Sequence, residues 1–273
     1  MDSYVWDDSL YAGSAPHYAA GRMPYPPALA GALRDQLGLD GTGRLLDVGC
    51  GPGSLTVLLA PLFAEAVGVD ADPDMLRTAA ATETPDVTWQ HLRAEGLPAG
   101  LGTFRVVTFA QSFHWMDQPL VADRVRDMIE PGGAWVHVAA STHRGAGGSF
   151  PMPLPQPPWS GIDALVARYL GPIRRAGRST LPSGETQAGE EDVMRAAGYA
   201  GPTRLQVECG ETVTRDVDEI VSAVLSLSSS TPHLLGDALP AFIADLRALL
   251  RETAPDGLFS EKTGEIGVVI WRP

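Results

Sequence analysis

The sequence predicts an α/β domain in which helices cover both faces of a mostly parallel sheet, and three observations carry that expectation. Between residues 44 and 141, short apolar runs alternate with segments of helical period. The stretch LLDVGCGPGSLT, residues 45–56, sets three glycines at alternate positions directly behind one of those runs. A chain of 273 residues that is 44% hydrophobic can fill one large domain, or one domain carrying a substantial insertion.

The elements follow in order. RLLDVGC (44–50) reads as a buried strand, and Leu55, Leu58, Leu59 and Leu62 then mark one helical face. AEAVGVD (64–70) is the second strand. Asp72 caps the next helix, Pro73 opens it, and Met75, Leu76, Ala79 and Ala80 face inward. VTWQHL (87–92) and FRVVTFAQS (104–112) are the third and fourth strands. Val121, Val125 and Met128 form a helical stripe that Pro131-Gly132-Gly133 should end, and GAWVHVAAS (133–141) is the fifth strand. Residues 143–160 are too rich in Gly and Pro for a regular element and read as a long loop crossing the ligand-binding edge of the sheet. Short helices are expected over 161–170 and 189–198, and a single strand over RLQVECGETVTR (204–215). Helices over 217–228 and 238–252 precede a final strand, EIGVVIWRP (265–273). Those two late helices are inserted between the last two strands, where they either roof a substrate pocket or simply add core. The two halves expected are 1–141, an N-terminal arm plus the cofactor-binding part, and 142–273, with the substrate loop, lid helices and last two strands.

Charge and composition narrow the function. A net charge of −13 and an isoelectric point near 4.8 argue against a polyanionic partner, because nucleic-acid binding needs clustered Lys and Arg. No run reaches the roughly 18 uninterrupted apolar residues of a spanning helix. Two cysteines are too few for a disulfide framework, and MDSYVWDDSL has no leader character, so a reduced, cytoplasmic setting is expected. A chain of this kind is expected as a monomer or homodimer.

Glycines between a strand and a helix let the backbone turn tightly and approach a ligand. Here Gly49, Gly51 and Gly53 run G-x-G-x-G, with Ser54 where the dinucleotide fingerprint places its third glycine. Asp47, at the end of the strand, would repel a pyrophosphate but suits a ligand carrying an ammonium group. Asp70 ends the second strand, where a carboxylate can accept both hydrogens of a ribose diol; Asp72 already serves as the helix cap. Cys50 reads as a small residue shaping the loop backbone beside the ligand.

LLDVGCGPGSLT, the strand-end acid in VGVDADPDML, and FRVVTFAQSFHWMD together resemble the class I S-adenosylmethionine-dependent methyltransferases, clearly over about residues 10–140. The resemblance implies a Rossmann-like seven-stranded sheet with its last strand antiparallel, and S-adenosyl-L-methionine as cofactor, released as S-adenosyl-L-homocysteine. It implies that Asp47 and the glycine loop face the methionyl part, Asp70 the ribose and Ala71 the adenine face. Ala94 and Glu95 would read the adenine amino edge, and Gln111 and Ser112 would line the cofactor. The aromatic segment 7–27 resembles the entry segment of small-molecule methyltransferases of the trans-aconitate-methyltransferase-like and natural-product-tailoring type, which folds over the cofactor. On that likeness Arg22 pairs with the methionyl carboxylate, while Tyr11, His17 and Tyr18 close the pocket; a surface-packed arm is the alternative.

Methyl transfer is an in-line displacement that gains mostly from alignment and needs a base only if the nucleophile must lose a proton. His114 is the candidate base, its alternative being to orient the cofactor or pack beside Trp115, itself a pocket wall. Phe150, Met152 and Trp159 would add apolar walls for a hydrophobic or aromatic small acceptor. No N-P-P-Y or D-P-P-Y motif points to nucleic-acid bases or amide side chains. His137 and His143 lack placed carboxylates, so no metal site is expected. A nicotinamide-dependent oxidoreductase is the second reading, weakened by the glycine register, Asp47 and the lack of a Tyr-x-x-x-Lys pair. A cofactor-binding regulator without chemistry is the third.

Overall fold

The computed structural model describes residues 9, 11–148, 151–176, 179–182 and 189–273. Along the chain lie α1 (Ala15–Gly21), α2 (Pro27–Leu37), β1 (Arg44–Val48), α3 (Ser54–Leu59), β2 (Glu65–Asp70), α4 (Pro73–Ala80), β3 (Val87–His91), β4 (Phe104–Ala110), α5 (Gln118–Arg126) and β5 (Ile129–Ala139). There follow α6 (Trp159–Leu170), the hairpin β6 (Ile173–Ala176) and β7 (Ser179–Pro182), α7 (Glu190–Ala196), β8 (Ala200–Val207), β9 (Thr212–Asp216) and α8 (Val217–Leu225). The chain ends with α9 (Pro232–Leu235), α10 (Leu239–Thr253), β10 (Leu258–Lys262) and β11 (Ile266–Arg272).

Seven strands form one sheet in the order β3-β2-β1-β4-β5-β11-β8. The pairs among β1 to β5 are parallel, and β11 runs antiparallel to both β5 and β8, the Rossmann-like arrangement expected. Alternation along each strand splits the core between the two faces. Leu46 and Val48 of β1 join Val69, Phe109 and Trp135 on one side, under α5 and α7. Leu45 joins Leu29 and Leu33 of α2 and Leu55 and Leu59 of α3 on the other. Chain order reverses between β1 and β4, which opens a crevice at their carboxyl ends.

Two strand expectations need correction. Pro131-Gly132-Gly133 does not separate helix from strand; it lies inside β5 as a bulge, where the register with β4 shifts between Phe104 and Val106. Gly132 supplies the left-handed turn at φ +79, and the bulged carbonyls accept hydrogen bonds from Arg105 and Arg272. The segment 204–215 is not one strand either. Gly210, at φ +79, turns the chain out of the main sheet, so β8 stays there and β9 pairs antiparallel with β10.

The insertion between β8 and β11 has its own core, with Ile220 and Val224 of α8 packed against Phe242 and Leu246 of α10, Ile162 of α6 and Phe259 of β10. The N-terminal arm docks on it. A Cβ on Gly21 would lie 2.1 Å from the Ala223 backbone nitrogen, so α1 and α8 cross at a distance only glycine allows. Arg215, 5% exposed, fastens the joint: Nη1 donates to Glu261 Oε2 at 2.9 Å and to the His143 carbonyl, and Nη2 to the carbonyls of Gly21 and Glu219. The other oxygen of Glu261 accepts from the Gly145 amide and from Trp159 Nε1. Removing one member leaves a buried charge uncompensated. Arg215→Met therefore lowers stability by about 3–5 kcal/mol, and adding Glu261→Gln restores part of it. Urea unfolding checks this, and a loss below about 1 kcal/mol contradicts it.

Candidate active site

A cavity of about 700 Å³, including its open mouth, fills the crevice at the switch point. Three loops build it. Gly49 and Gly51 come from the turn after β1, Asp70, Ala71 and Asp72 from the end of β2, and Ala110, Gln111 and Ser112 from the end of β4. A Cβ on Gly49 would lie 2.5 Å from the Ser112 Cβ, so the β1 and β4 loops touch through the missing side chain. A Cβ on Gly51 would meet nothing, and its φ of +55 disfavours any other residue: here the bare backbone faces open space.

Hydrogen bonds between strand ends fix this shape. Asp70 Oδ2 accepts from the Gly51 amide at 2.7 Å and Oδ1 from the Asp72 amide at 2.8 Å. Asp72 in turn caps α4, accepting from the amides of Asp74 and Met75, which leaves Asp70 clear of that task. Burial raises the Asp70 carboxyl above its ordinary value, against the pull of those amides. Ser112 Oγ donates to the Val48 carbonyl at 2.6 Å, tying β4 to β1. Beneath them, Ala71, Met75, Leu92 and Ala94 make an apolar slot. At its end Glu95 Oε1 accepts from the Asp117 amide, and Oε2 lies 3.6 Å from Arg93 Nε.

The arm supplies the roof. Tyr11 and Tyr18 line the cavity, and the Tyr11 ring meets Trp115 edge-on at 6.1 Å. The Tyr11 hydroxyl bonds Ser228, and burial pushes its phenol up. His17 is turned to the other side, with Nδ1 3.4 Å from Ser222 Oγ on α8, so it joins arm to lid and not to the cavity wall. Arg22 also stands off the wall. Its guanidinium lies 4.4 Å over the Tyr18 ring, with Ser226 Oγ, the Ser226 carbonyl and Thr142 Oγ1 as its acceptors.

The structure brings Tyr11, Tyr18, Gly49, Gly51, Asp70, Ala71, Ala94, Glu95, Gln111, Ser112 and Trp115 to one cavity, with Met75, Leu92, Arg93 and Met116, which sequence reasoning missed. The 3.6 period that makes Met75 core on α4 gives no sign that it also closes a ligand slot. It does not bring Asp47, Cys50 or Gly53 to the wall. Gly53 packs on Trp89, where a Cβ would lie 2.4 Å from the ring, and the Cys50 thiol is buried and pushed up by desolvation. His114 sits half-buried on the turn Phe113–Trp115, its ring 5.0 Å from that of Trp115 and off this wall. Trp159 lines a separate trough, Met152 is half-buried, and Phe150 lies outside the described residues. Among the described residues no group of three or more His, Cys, Asp or Glu could hold a metal ion, and no helix is long and apolar enough to cross a membrane.

Asp47 has a different place for a geometric reason. It shares a face of β1 with Leu45, the face covered by α3, so its carboxylate runs under that helix. Oδ2 accepts from Thr56 Oγ1 at 2.6 Å and Oδ1 from Thr108 Oγ1 at 2.7 Å, and the residue is fully buried. Desolvation raises its carboxyl to about 6 in spite of both hydroxyls. The folded protein thus holds this proton more tightly than the unfolded chain. The stability it contributes is complete below the unfolded value of 3.8 and is lost as pH rises through about 6. Asp47→Asn keeps a partner for each threonine without the charge. Its stability relative to wild type should therefore rise between about pH 4 and pH 7, by up to ~3 kcal/mol. Denaturant titrations across that range check this, and a difference independent of pH contradicts it.

Residues 45–133 match the family described as "Methyltransferase domain". An uncharacterized methyltransferase of Mycobacterium tuberculosis is 34% identical over 128 residues, covering 46% of this chain and 51% of that protein. A ubiquinone biosynthesis O-methyltransferase of Albidiferax ferrireducens is 35% identical over 99 residues, covering 34% of this chain and 39% of the relative. The chain spans about half the length of the first of these relatives. Among solved structures, a putative type II methyltransferase from Anaeromyxobacter dehalogenans superposes with a TM-score of 0.51 at 21% identity, over 91% of this chain and 95% of that one. The [4+2]-cyclase SpnF superposes with the same TM-score of 0.51 at 15% identity, over 97% and 93%. Both likenesses speak to fold, and fold alone does not settle chemistry. The family match over the glycine loop and the strands that follow it shows a segment similar to the methyltransferase domain over residues 45–133, set on the strand order described above.

Proposed function

We propose that the cavity binds S-adenosyl-L-methionine and that the chain transfers its methyl group to a small molecule. One observation carries this reading: Asp70 stands at the end of β2, anchored by two backbone amides and still lining an open cavity beside the bare backbone of Gly51. A carboxylate oxygen that has accepted one amide keeps capacity for a further donor, so the anchored acid can receive the two hydroxyls of a ribose. The apolar slot of Ala71, Met75, Leu92 and Ala94 fits a planar base, with Glu95 at its edge. Nothing along Gly49–Gly53 presents the lysine or free helix start that a pyrophosphate requires; the Gly51 amide is already spent on Asp70. Arg22, with no carboxylate paired to it among the described residues, is the candidate partner for an amino-acid carboxylate through a small movement beside Tyr18.

When bound, this cofactor supplies an electrophilic methyl on a sulfonium; transfer exchanges the S–C bond for a bond to the acceptor, with loss of a proton from an O–H or N–H acceptor. The chain's own task is alignment and exclusion of water. Tyr11, Trp115 and Met116 form the apolar side of the cavity against which the reacting end of an aromatic or apolar acceptor packs. His114, next to Trp115, is the candidate for taking the acceptor's proton. A role in natural-product tailoring and a reduced, cytoplasmic setting belong to the same proposal.

Calorimetric titration tests the reading. Wild type binds S-adenosylhomocysteine and not NAD(P), Asp70→Ala loses that binding by at least about tenfold, and His114→Ala keeps it while turnover falls. Binding of NAD(P) without S-adenosylhomocysteine would overturn the cofactor, and unchanged turnover in His114→Ala would remove the base.

A further inference from the structure

Gln111 is the residue at which two cavities meet. On one side lies the cavity just described. On the other a trough of about 2270 Å³, including its open mouth, runs between the carboxyl end of β5 and the turn after β10, with Trp159 on its wall. Gln111 lines both.

Its backbone is unusual. With φ at +54, Gln111 occupies the left-handed region that residues with a long side chain rarely adopt. The conformation has a clear effect. Successive residues of a strand point to opposite faces, yet Ala110, Gln111 and Ser112 all line one cavity. The left-handed step breaks the pleat and turns the Gln111 side chain to the junction, where Nε2 donates to the Ala140 carbonyl at 3.2 Å. The Gln111 amide is held as well, donating to the Val138 carbonyl at 3.3 Å. A carbonyl cannot accept from a carbonyl, so the bond to Ala140 settles which end of the carboxamide is which. The oxygen, Oε1, is left as the acceptor of the residue that both cavities share.

We infer that the trough is the acceptor's way in and that Gln111 is its positioning residue, with Oε1 receiving the hydrogen of an O–H or N–H group about to be methylated. This rests on the cofactor reading above and narrows the acceptor to molecules with a donor at the reacting atom. A carboxamide does not take up a proton at neutral pH, so Gln111 aims the acceptor's lone pair at the methyl group, and the proton displaced as the new bond forms passes to the base assigned above or to water. The open trough, lined by both polar and apolar groups, accommodates the rest of the acceptor.

The test uses a matched pair of probes, phenol and anisole, which share a ring and differ in the donor hydrogen. Each is titrated into the S-adenosylhomocysteine-loaded full chain and followed by ligand-observed NMR, for wild type, Gln111→Gly and Gln111→Met. Wild type binds phenol about fivefold or more tighter than anisole, the worth of one hydrogen bond. Gln111→Gly, whose backbone suits the left-handed region better, melts no lower than wild type and, at S-adenosylhomocysteine concentrations that saturate it, loses the preference. Gln111→Met loses the preference without the backbone change. Equal affinity for the two probes in wild type, no detectable binding of either, or a preference that survives in Gln111→Gly overturns the inference. Failure of wild type to bind S-adenosylhomocysteine at all is distinct and overturns the cofactor reading beneath it.

Discussion

The cavity owes its shape to hydrogen bonds that tie the ends of parallel strands to one another's loops. Asp70 accepts the amides of Gly51 and Asp72, joining the turns after β1 and β2, and Ser112 donates to the Val48 carbonyl, joining β4 to β1. Parallel strands hydrogen-bonded along their length still diverge at a switch point, and without cross-ties the loops there would be free to close. Charge supplies the tie at Asp70, whose carboxylate is largely buried and raised by desolvation, so a folded, anchored acid is held where water alone would not be its best partner. A ligand offering two hydroxyls meets that demand.

A second set of ties holds the roof. The arm carries Tyr11 and Tyr18 over the cavity, and it is fixed from the far side by the glycine crossing of α1 with α8 and by Arg215 reaching the Gly21 carbonyl. Arg215 and Glu261 also gather His143, Gly145 and Trp159, so arm, loop and lid are joined through one buried ion pair. The cavity and the trough are therefore shaped by the same joint, from opposite sides of Gln111.

Much of this could be read from the sequence because it depends on local rules. G-x-G-x-G behind a strand implied a tight turn of the backbone, and all three glycines take left-handed φ there. Asp72-Pro73 announced a capped helix, which freed Asp70 for a separate task. Asp47 was harder. Its spacing from the glycines is that of a ligand residue, but which face of β1 it occupies depends on α3 crossing above it, a tertiary fact the spacing does not carry. The strand read over 204–215 failed at Gly210, and β10, the polar run LFSEK, gave no alternation to find, because its pairing with β9 is long-range. Gln111 shows the remaining limit: nothing in F-A-Q-S announces a left-handed glutamine, since its conformation is imposed by neighbours on β5.

Hydrogen–deuterium exchange with and without S-adenosylhomocysteine tests the central claim most directly, because it reads each tie separately. Slower exchange is expected in the three loops at residues 49–53, 70–72 and 110–112, the turn at 93–95 and the arm over 11–22, with the outer edge β8 unchanged. Unchanged exchange at all of these at saturating ligand, or protection centred elsewhere, would contradict it.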